Sequence, residues 1–447
     1  MYLNEAHAKK WAPVLDHPSL PPITDPYKRA VTALVLENQE RATREDAAAM
    51  SNLWEAAPVS TTSGGVAPGT GAYASNVQGF DPILIGLVRR AMPNLMAYDI
   101  CGVQPMTGPT GLIFAMKSTY VVGNTEALFS EANTNYSGGA AAAQQHNALN
   151  LVNGDGNVAA ILLANTGAAM TTATGESINM ANMSFRIDRV AVTAQTRGLQ
   201  ASYSLELAQD LKAVHGLDAE TELVNILSTE ILAEINREVV RTVYAAANVG
   251  ITGLTSAVMD LSNTSAGVAN GTSGRWQVEK YKSLLFRIEQ AANKIGKDTR
   301  RGKGNMLIVS TDVASALSMT GLLDYNSALA GQTNLTVDDN GNAFAGTLFG
   351  RIKVFVDPYS VSGFDYVVVG YKGTNAYDAG IFYCPYVPLQ MVRAIDPDTY
   401  QPKVGFKTRY GLVGNPFQNG NNLVGTGTIA NGTNVYYRKF AVLNINQ

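Results

Sequence analysis

One segment, residues 217–249, contains neither glycine nor proline and carries the longest helical pattern in the chain. Its apolar residues recur every four positions: Leu223, Leu227, Ile231, Ile235 and Val239. That spacing places them on one face of an α-helix, and Asp218 stands where an N-cap residue is expected. About 30 residues at ~1.5 Å per residue give a rod of roughly 45 Å. We expect a helix of this length to span a whole domain as a backbone on which sheets pack.

A long excursion with a biased composition precedes this helix. Strand patterns occur at residues 112–116 and 185–200, and no lysine or arginine lies between Lys117 and Arg186. Apolar and polar residues alternate in the second segment, which predicts a strand with one buried face. We therefore predict a long two-stranded hairpin that carries an insertion.

The N-terminal part predicts a helix followed by an arm. Residues 9–22 are punctuated by proline and predict an irregular segment, after which Asp25 and Pro26 suit the N-cap and first position of a helix that continues through Met50. Residues 56–79 are rich in Ala, Pro, Ser, Thr and Gly, which is typical of an extended arm. A further helix is predicted from Phe80 to about Met92.

The remaining segments mix helices with strands. Helical patterns occur at residues 204–216 and 275–295, and strand patterns occur at residues 305–310, 351–356, 366–369 and 381–386. Strands and helices do not alternate regularly along the chain. The pattern therefore favours an α+β fold over a doubly wound parallel sheet.

Composition and motifs exclude several classes of function. The formal net charge of −3 provides no global basic field for nucleic acid or a membrane surface. There is no signal-peptide pattern and no apolar run long enough to cross a bilayer, and the two cysteines fit a reducing compartment. The four histidines lack metal-ligand spacing, and phosphate-loop and nucleophile motifs are missing. We predict no enzyme activity, no catalytic residue, no cofactor and no metal site.

A local basic excess occurs at residues 275–303, with nine basic and three acidic residues. Its last members, Arg300, Arg301 and Lys303, are candidates for contacts with an acidic neighbouring subunit or with DNA. A solvated helix face is the alternative interpretation. Under the first interpretation, changing Arg300 and Arg301 to Glu should impair assembly more than folding.

Three blocks of the chain resemble the major capsid proteins of T-even-type, contractile-tailed bacteriophages. The blocks are LVRRAMPNLMAYDICGVQPMTGPTG at residues 87–111, YSLELAQDL at residues 203–211 with its continuation to residue 240, and VGFKTRYG at residues 404–411. The resemblance extends over most of residues 80–120 and 185–415. It implies an α+β fold, the Hong Kong-type tailed-phage capsid fold.

That fold implies a division of the chain into named units. Residues 1–55 would be a cleavable leader, 56–79 the N-terminal arm and 80–104 the start of the peripheral domain. The extended loop would occupy 105–198 with an insertion at about 121–184. The peripheral domain would continue over 199–304, with the spine helix at 218–247. The axial domain would occupy 305–375, and 376–447 would return to the peripheral domain and the C-terminus.

The resemblance also implies proteolytic processing. Precursors in this family are cut by a prohead protease after Glu in a Leu/Ile-Xaa-Glu context. Leu53, Trp54 and Glu55, followed by Ala56, match that context at the boundary between the helical segment and the arm. The leader would contact scaffold during assembly and then be removed.

The implied function is that of a major head protein, which assembles mainly as hexamers into an icosahedral or prolate shell around phage DNA. Its partners would be further copies of itself, a vertex protein, scaffold, prohead protease, portal and decoration proteins. DNA would be bound only non-specifically, and no membrane would be involved. The protein would be located in the virion capsid after assembly in the cytoplasm of the host bacterium. The alternatives are a pentamer-forming vertex paralogue and, in a different class, a soluble hydrolase or glycan-binding domain.

Overall fold

The computed structural model of the chain describes most of the sequence, with gaps. The described residues are 5–17, 23, 25–54, 86, 88–89, 95–120, 126–128, 136, 172–176, 180–250, 258–261, 276–325, 343–360, 364–375, 377–396, 399, 401–418 and 427–445. The predicted arm at 56–79, most of the helix predicted at 80–92 and most of the insertion at 121–184 lie outside them.

Two helices form the N-terminal part, α1 (Glu5–Leu15) and α2 (Pro26–Trp54). The Asp25 carboxylate accepts a hydrogen bond from the Tyr27 amide at 2.9 Å, so Asp25 caps α2 as predicted. The expectation of an irregular segment at residues 9–22 was wrong over α1, which contains Pro13. Pro13 lies in the last turn, where one backbone hydrogen bond is lost, and burial of Trp11 and Leu15 holds the helix in place.

The long helix is α6 (Ala219–Ala246), which confirms the helix predicted from the apolar stripe. Two shorter helices precede it in the chain, α3 (Ala97–Ile100) and α5 (Leu205–His215), with the single turn α4 (Thr172–Gly175) in the insertion. Four of the five stripe residues are buried in the main core: Leu227, Ile231, Ile235 and Val239. Asn236 on the same helix is also buried, and its side-chain oxygen accepts a hydrogen bond from the Met96 amide at 3.0 Å.

One four-stranded sheet packs beside α6, in the order β1 (Gly102–Val103), β12 (Ile381–Ile395), β13 (Pro402–Gly414) and β4 (Gln195–Ser202). Strand β1 is parallel to β12, and the other pairs are antiparallel. Strand β12 has 15 residues, far more than the predicted 381–386, and its register shifts between Pro385 and Gln390. A register shift of this kind bends a strand locally.

A second, eight-stranded sheet lies under helices α7 (Gln277–Thr299) and α8 (Thr311–Met319). Its main path runs in the order β5-β14-β11-β7-β10-β9-β8, and β6 pairs with β14. The bounds are β5 (Ala247–Val249), β6 (Val258–Asp260), β7 (Met306–Ser310), β8 (Leu323–Tyr325), β9 (Ala343–Leu348), β10 (Ile352–Asp357), β11 (Asp365–Gly370) and β14 (Asn434–Leu443). Strands β7 and β10 are parallel while β11 is antiparallel to β7. This mixed pairing confirms the α+β class.

The predicted hairpin is a two-stranded ladder of β2 (Thr110–Tyr120) and β3 (Met183–Thr193). The pairing is continuous and antiparallel, from Thr110 opposite Thr193 to Tyr120 opposite Met183. Eleven residues in each strand at ~3.4 Å per residue give a ribbon of roughly 35 Å. The ribbon forms its own sheet, and one of its faces contacts the rest of the chain both near the base and toward the far end.

Candidate assembly surfaces

The outer face of the β2–β3 hairpin is apolar and exposed. Its members are 51–75% exposed and alternate along both strands: Leu112, Phe114, Met116, Phe185 and Ile187. Successive residues of a strand point to opposite faces, and the antiparallel register places Met116 directly opposite Ile187. We call these five residues the hairpin face. An exposed apolar patch on a protein surface is typical of an interaction site.

The opposite side of the hairpin is buried along the length of β2, at Ile113 near the base and at Lys117 and Thr119 toward the far end. Ile113, Val190 and Val192 pack with Phe382 and Cys384 in one apolar cluster. The prediction of one strand with one buried face along residues 185–200 was therefore wrong for Phe185 and Ile187, and the range is divided between β3 and β4. Those two residues occupy odd positions and Val190 and Val192 occupy even positions, so the two pairs point to opposite faces.

An ion pair fixes the far end of the hairpin, where Glu126 pairs with Thr119, to the body of the chain. Glu126, a few residues after β2, is 2% exposed, and its Oε1 accepts a hydrogen bond from Nη2 of Arg301 at 3.0 Å. A second carboxylate, that of Asp378, lies 4.0 Å from the Arg301 guanidinium. Tyr371 joins the group because its hydroxyl contacts Oδ2 of Asp378 at 3.0 Å.

Burial governs the titration of this group. It raises the pKa of Glu126 above its usual value, although the charges of Arg301 and Lys117 act in the opposite direction. Burial also raises the pKa of Tyr371 to about 12, and the neighbouring Asp378 adds to the shift. Lys117, on the buried side of β2, has a lowered pKa because of burial, and its ammonium lies 4.6 Å from the centre of the Phe417 ring.

The three basic residues singled out from the sequence have different surroundings. Arg301 is bound to Glu126, and Lys303 forms an ion pair with Glu289. Both basic groups thus form ion pairs within the chain, and their contact with a neighbour or DNA stays a prediction. Arg300 is exposed, in the left-handed conformation that ends α7, and its contact with a neighbour or DNA stays a prediction.

The predicted processing site follows the end of α2. Leu53 lies in the last turn of that helix, and Trp54 is its final residue. Glu55 and Ala56 lie outside the described residues. Cleavage between Glu55 and Ala56 therefore stays a prediction.

Helix α5 presents a second exposed apolar surface. Ser204 caps its start by accepting a hydrogen bond from the Leu207 amide at 3.2 Å, and Gly216 ends it in the left-handed conformation. None of its residues is buried, and Leu205, Leu207 and Val214 are all more than half exposed. The predicted helix at 204–216 is therefore confirmed, but the chain itself does not cover its apolar side chains.

A cleft of about 520 Å³ lies between β3, α6 and β13. Its acidic residue, Glu238, contacts Arg197 at 2.8 Å and the Tyr410 hydroxyl. The carboxylate is thus held by a cation and a phenol from neighbouring elements. This arrangement braces β4 and β13 against the long helix.

Sequence reasoning missed the three residues that surround Arg301: Glu126, Tyr371 and Asp378. Glu126 is one of four acids in a segment without basic residues. Any cation that pairs with it must therefore come from a distant part of the sequence. No sequence pattern identifies Arg301 as that cation. Within the described residues, no helix is long and apolar enough to span a bilayer, and no group of three metal-binding side chains occurs.

Comparison of the whole chain with known proteins identifies its relatives. The family model described as Major capsid protein Gp23 matches residues 77–442. The Major capsid protein of Serratia phage KSP90 is 37% identical over 465 residues and 99% of each chain, and that of Enterobacteria phage T4 is 36% identical over 482 residues and 91% of each chain.

More distant matches were also found. The Capsid vertex protein of Enterobacteria phage T4 is 27% identical over 253 residues, which cover 53% of this chain and 54% of that one. The solved capsid of Myoviridae phage XM1 is 8% identical with a TM-score of 0.36, and the match covers 78% of this chain and 92% of that one. The family model and the near full-length relatives confirm the resemblance and, with the α+β architecture, the fold that it implies. The chain belongs to the Gp23 family of major capsid proteins.

Proposed function

We propose that this chain is the major head protein of a contractile-tailed phage and that many copies of it form the shell around the packaged DNA. Its family supports this role, since the near full-length relatives are named major capsid proteins. The role is structural, so the protein acts through contacts between copies and not through catalysis. The finished protein is part of the virion.

The hairpin face is the observation that carries this proposal. It is a row of exposed apolar side chains on a ribbon whose other face is held to the body, near the base by buried Ile113 and Val190 and at the far end by the Glu126–Arg301 ion pair. Because this inner face is held to the body, the apolar face points away from its own subunit and is available to another molecule. The occupant that we propose is a second copy of this chain.

In the proposed contact, the hairpin face of one copy binds a different surface of the next copy. A head-to-tail contact of this kind builds closed rings when the rotation between copies closes, and we propose hexameric rings as the main product. The exposed apolar side of α5 is available to the same lattice. The proposed units follow the boundaries given above, with the spine helix at 218–247 and the axial domain at 305–375.

The proposed partners are those of a phage head. They comprise a vertex protein, scaffold, a prohead protease that cuts after Glu55, a portal and decoration proteins, with DNA bound non-specifically. Assembly would take place in the host cytoplasm. Removal of residues 1–55 would accompany maturation of the shell.

Expression of the chain with and without residues 1–55 tests the proposal. Size-exclusion chromatography and negative-stain electron microscopy should show hexamers, sheets or shells. Pentamers alone would favour the vertex role that the more distant T4 relative represents. A well-folded monomer from both forms, even in the presence of scaffold, would contradict a shell protein and would direct attention to the hydrolase or glycan-binding alternative.

A further inference from the structure

Helix α5 carries an exposed stripe in which an acid lies between two apolar residues. Leu207, Asp210 and Val214 are three and four positions apart, so they share one face of the helix, and Leu207 is 51% and Val214 is 74% exposed. We call these three residues the acidic stripe. The helix has 11 residues, none of them buried, and a helix shorter than about 12–15 residues is marginal in water without packing. Its own chain therefore gives α5 little support, and we expect another molecule to cover the stripe.

Helix α7 carries an exposed stripe with similar spacing and the opposite charge. Val278, Lys282 and Phe286 recur every four positions and share one face of that helix, and all three are exposed. We call them the basic stripe. Tyr281 and Ile288 are buried on the other side of α7, which packs on the eight-stranded sheet. The basic stripe is therefore the side that faces away from the body.

The two stripes are complementary in shape and in charge. The two apolar residues are seven positions apart in the acidic stripe and eight in the basic stripe, which corresponds to roughly 10 and 12 Å at ~1.5 Å per residue. The charged residue between them is Asp210 in the first stripe and Lys282 in the second. Among the described residues, neither of the two forms an ion pair within its own chain. Each charge is therefore available to a partner of opposite sign.

Charges near the helix ends select an orientation. Glu206 and Glu279 are exposed acids in the first turns of α5 and α7, and Lys212 is an exposed base in the last turn of α5. A parallel arrangement of the two helices would place both acids at the same end, where they repel each other. An antiparallel arrangement places Lys212 at the end that carries Glu279. The antiparallel arrangement is therefore favoured.

We propose that the acidic stripe of one copy packs antiparallel on the basic stripe of a second copy and that Asp210 pairs there with Lys282. This contact rests on the proposed function, because it joins copies of a shell protein. It uses two different surfaces of the chain, so it propagates from one copy to the next as the hairpin contact does. It also covers the apolar side chains that each copy leaves exposed on α5.

Chemical cross-linking of the full chain tests the contact. Asp210→Cys and Lys282→Cys are combined in one chain, since the native Cys101 and Cys384 are buried, and a short cross-linker that joins two thiols is added. We expect a ladder of covalent multimers on a denaturing gel. A mixture of the two single variants should give dimers, and each single variant alone should stay monomeric on the gel.

A matched control uses another exposed lysine of the same helix. Lys297 lies 15 positions after Lys282, which is roughly 22 Å along the helix at ~1.5 Å per residue. Asp210→Cys combined with Lys297→Cys should therefore give no ladder. Cross-linking of this pair as efficient as that of the first pair would overturn the proposed contact.

Charge reversal supplies a second measurement. Asp210→Lys or Lys282→Asp alone places like charges opposite each other, and we expect at least about tenfold fewer rings or shells in electron micrographs. The two reversals together should restore most of the yield. Thermal melts should stay nearly unchanged, because both side chains are exposed. A combined variant that assembles no better than the single variants would overturn the pairing.

The proposed function and this contact fail in different ways. Rings or shells from the unmodified chain, without the cross-link between residues 210 and 282, would support the shell role and overturn the contact. Multimers cross-linked at these two positions, without rings or shells in electron micrographs, would support the contact and contradict the shell role. A monomer without cross-links would overturn both.

Discussion

Arg301 and Glu126 lie 175 positions apart in the sequence, and their side chains meet at 3.0 Å between Nη2 and Oε1. The first residue follows α7, and the second follows the first strand of the hairpin. Because Glu126 is 2% exposed, its charge depends on this partner. The pair therefore connects the orientation of the hairpin with the integrity of the body.

The Arg301–Glu126 pair should contribute strongly to folding. Arg301→Ala would leave a buried carboxylate without its cation, and we expect a loss of about 3–5 kcal/mol in the free energy of unfolding. Denaturant titration of the full chain measures this loss. Arg300→Ala is the matched control, because Arg300 is exposed, and its effect should stay within about 0.5 kcal/mol.

The same pair allows a double substitution. Arg301→Met combined with Glu126→Leu removes both charges, and apolar replacement of a buried ion pair is often close to neutral. We expect the double variant to recover most of the stability lost in Arg301→Ala. Equal losses in Arg300→Ala and Arg301→Ala would contradict the buried ion pair.

The hairpin face should act in assembly and not in folding. Phe114→Ser and Ile187→Ser alter exposed side chains, so the midpoint of thermal unfolding should stay nearly unchanged while the yield of rings or shells falls. Particle counts by electron microscopy and thermal melts provide the two measurements. Normal particle yield from both variants would show that another surface mediates assembly.

Ile113→Ala should instead affect folding, because Ile113 is adjacent to Phe114 but lies on the buried side of the hairpin. Ile113 is 3% exposed and packs in the cluster at the base of the hairpin. Its truncation should lower the free energy of unfolding by about 2–5 kcal/mol. A stability change below that of Phe114→Ser would contradict the assignment of the two hairpin sides.

Processing should depend on Glu55. Glu55→Gln removes the carboxylate that the proposed protease recognises, so the chain should keep its full length when it is co-expressed with the prohead protease. Mass spectrometry of the product measures the N-terminus. Asp46→Asn alters another acid of the leader and should be cut normally. Cleavage after residue 55 in the Glu55→Gln variant would show that the protease does not require the Glu55 carboxylate.

Packing of α1 on α2 should weaken in acid. Burial by itself would raise the pKa of Glu37, but hydrogen bonds from Lys10 and Trp11 and the charge of Lys10 outweigh it, so the folded-state pKa lies below the usual 4.5. The stabilisation is present above that usual value and is lost as the pH falls through the folded-state pKa.

Thermal unfolding of the full chain and of Glu37→Gln measures this effect. The difference in Tm should be largest near neutral pH and should shrink toward about pH 3, where both carboxyl and amide are uncharged. Glu230→Gln, at an exposed position of α6, should show no comparable change. A difference that grows in acid would contradict the ion pair.

Local patterns predicted a large part of this fold. The stripe from Leu223 to Val239 predicted α6, and the Ser204 cap with Gly216 predicted α5, because helix periodicity and caps depend on residues a few positions apart. The two strands of the hairpin were found for the same reason. The family resemblance rested on contiguous blocks of residues, and the family model confirmed it.

The sequence by itself determined which helices and strands can form, together with the family to which the chain belongs. Only the tertiary structure decided which side of the hairpin is covered, which basic residue meets Glu126, and where the leader packs. Phe185 and Val190 have similar apolar character, and their opposite exposure follows from the face that meets Phe382 and Cys384. Likewise, Asn38 meets Met106 across 68 positions. Such contacts depend on how distant elements pack in space, which no local periodicity specifies.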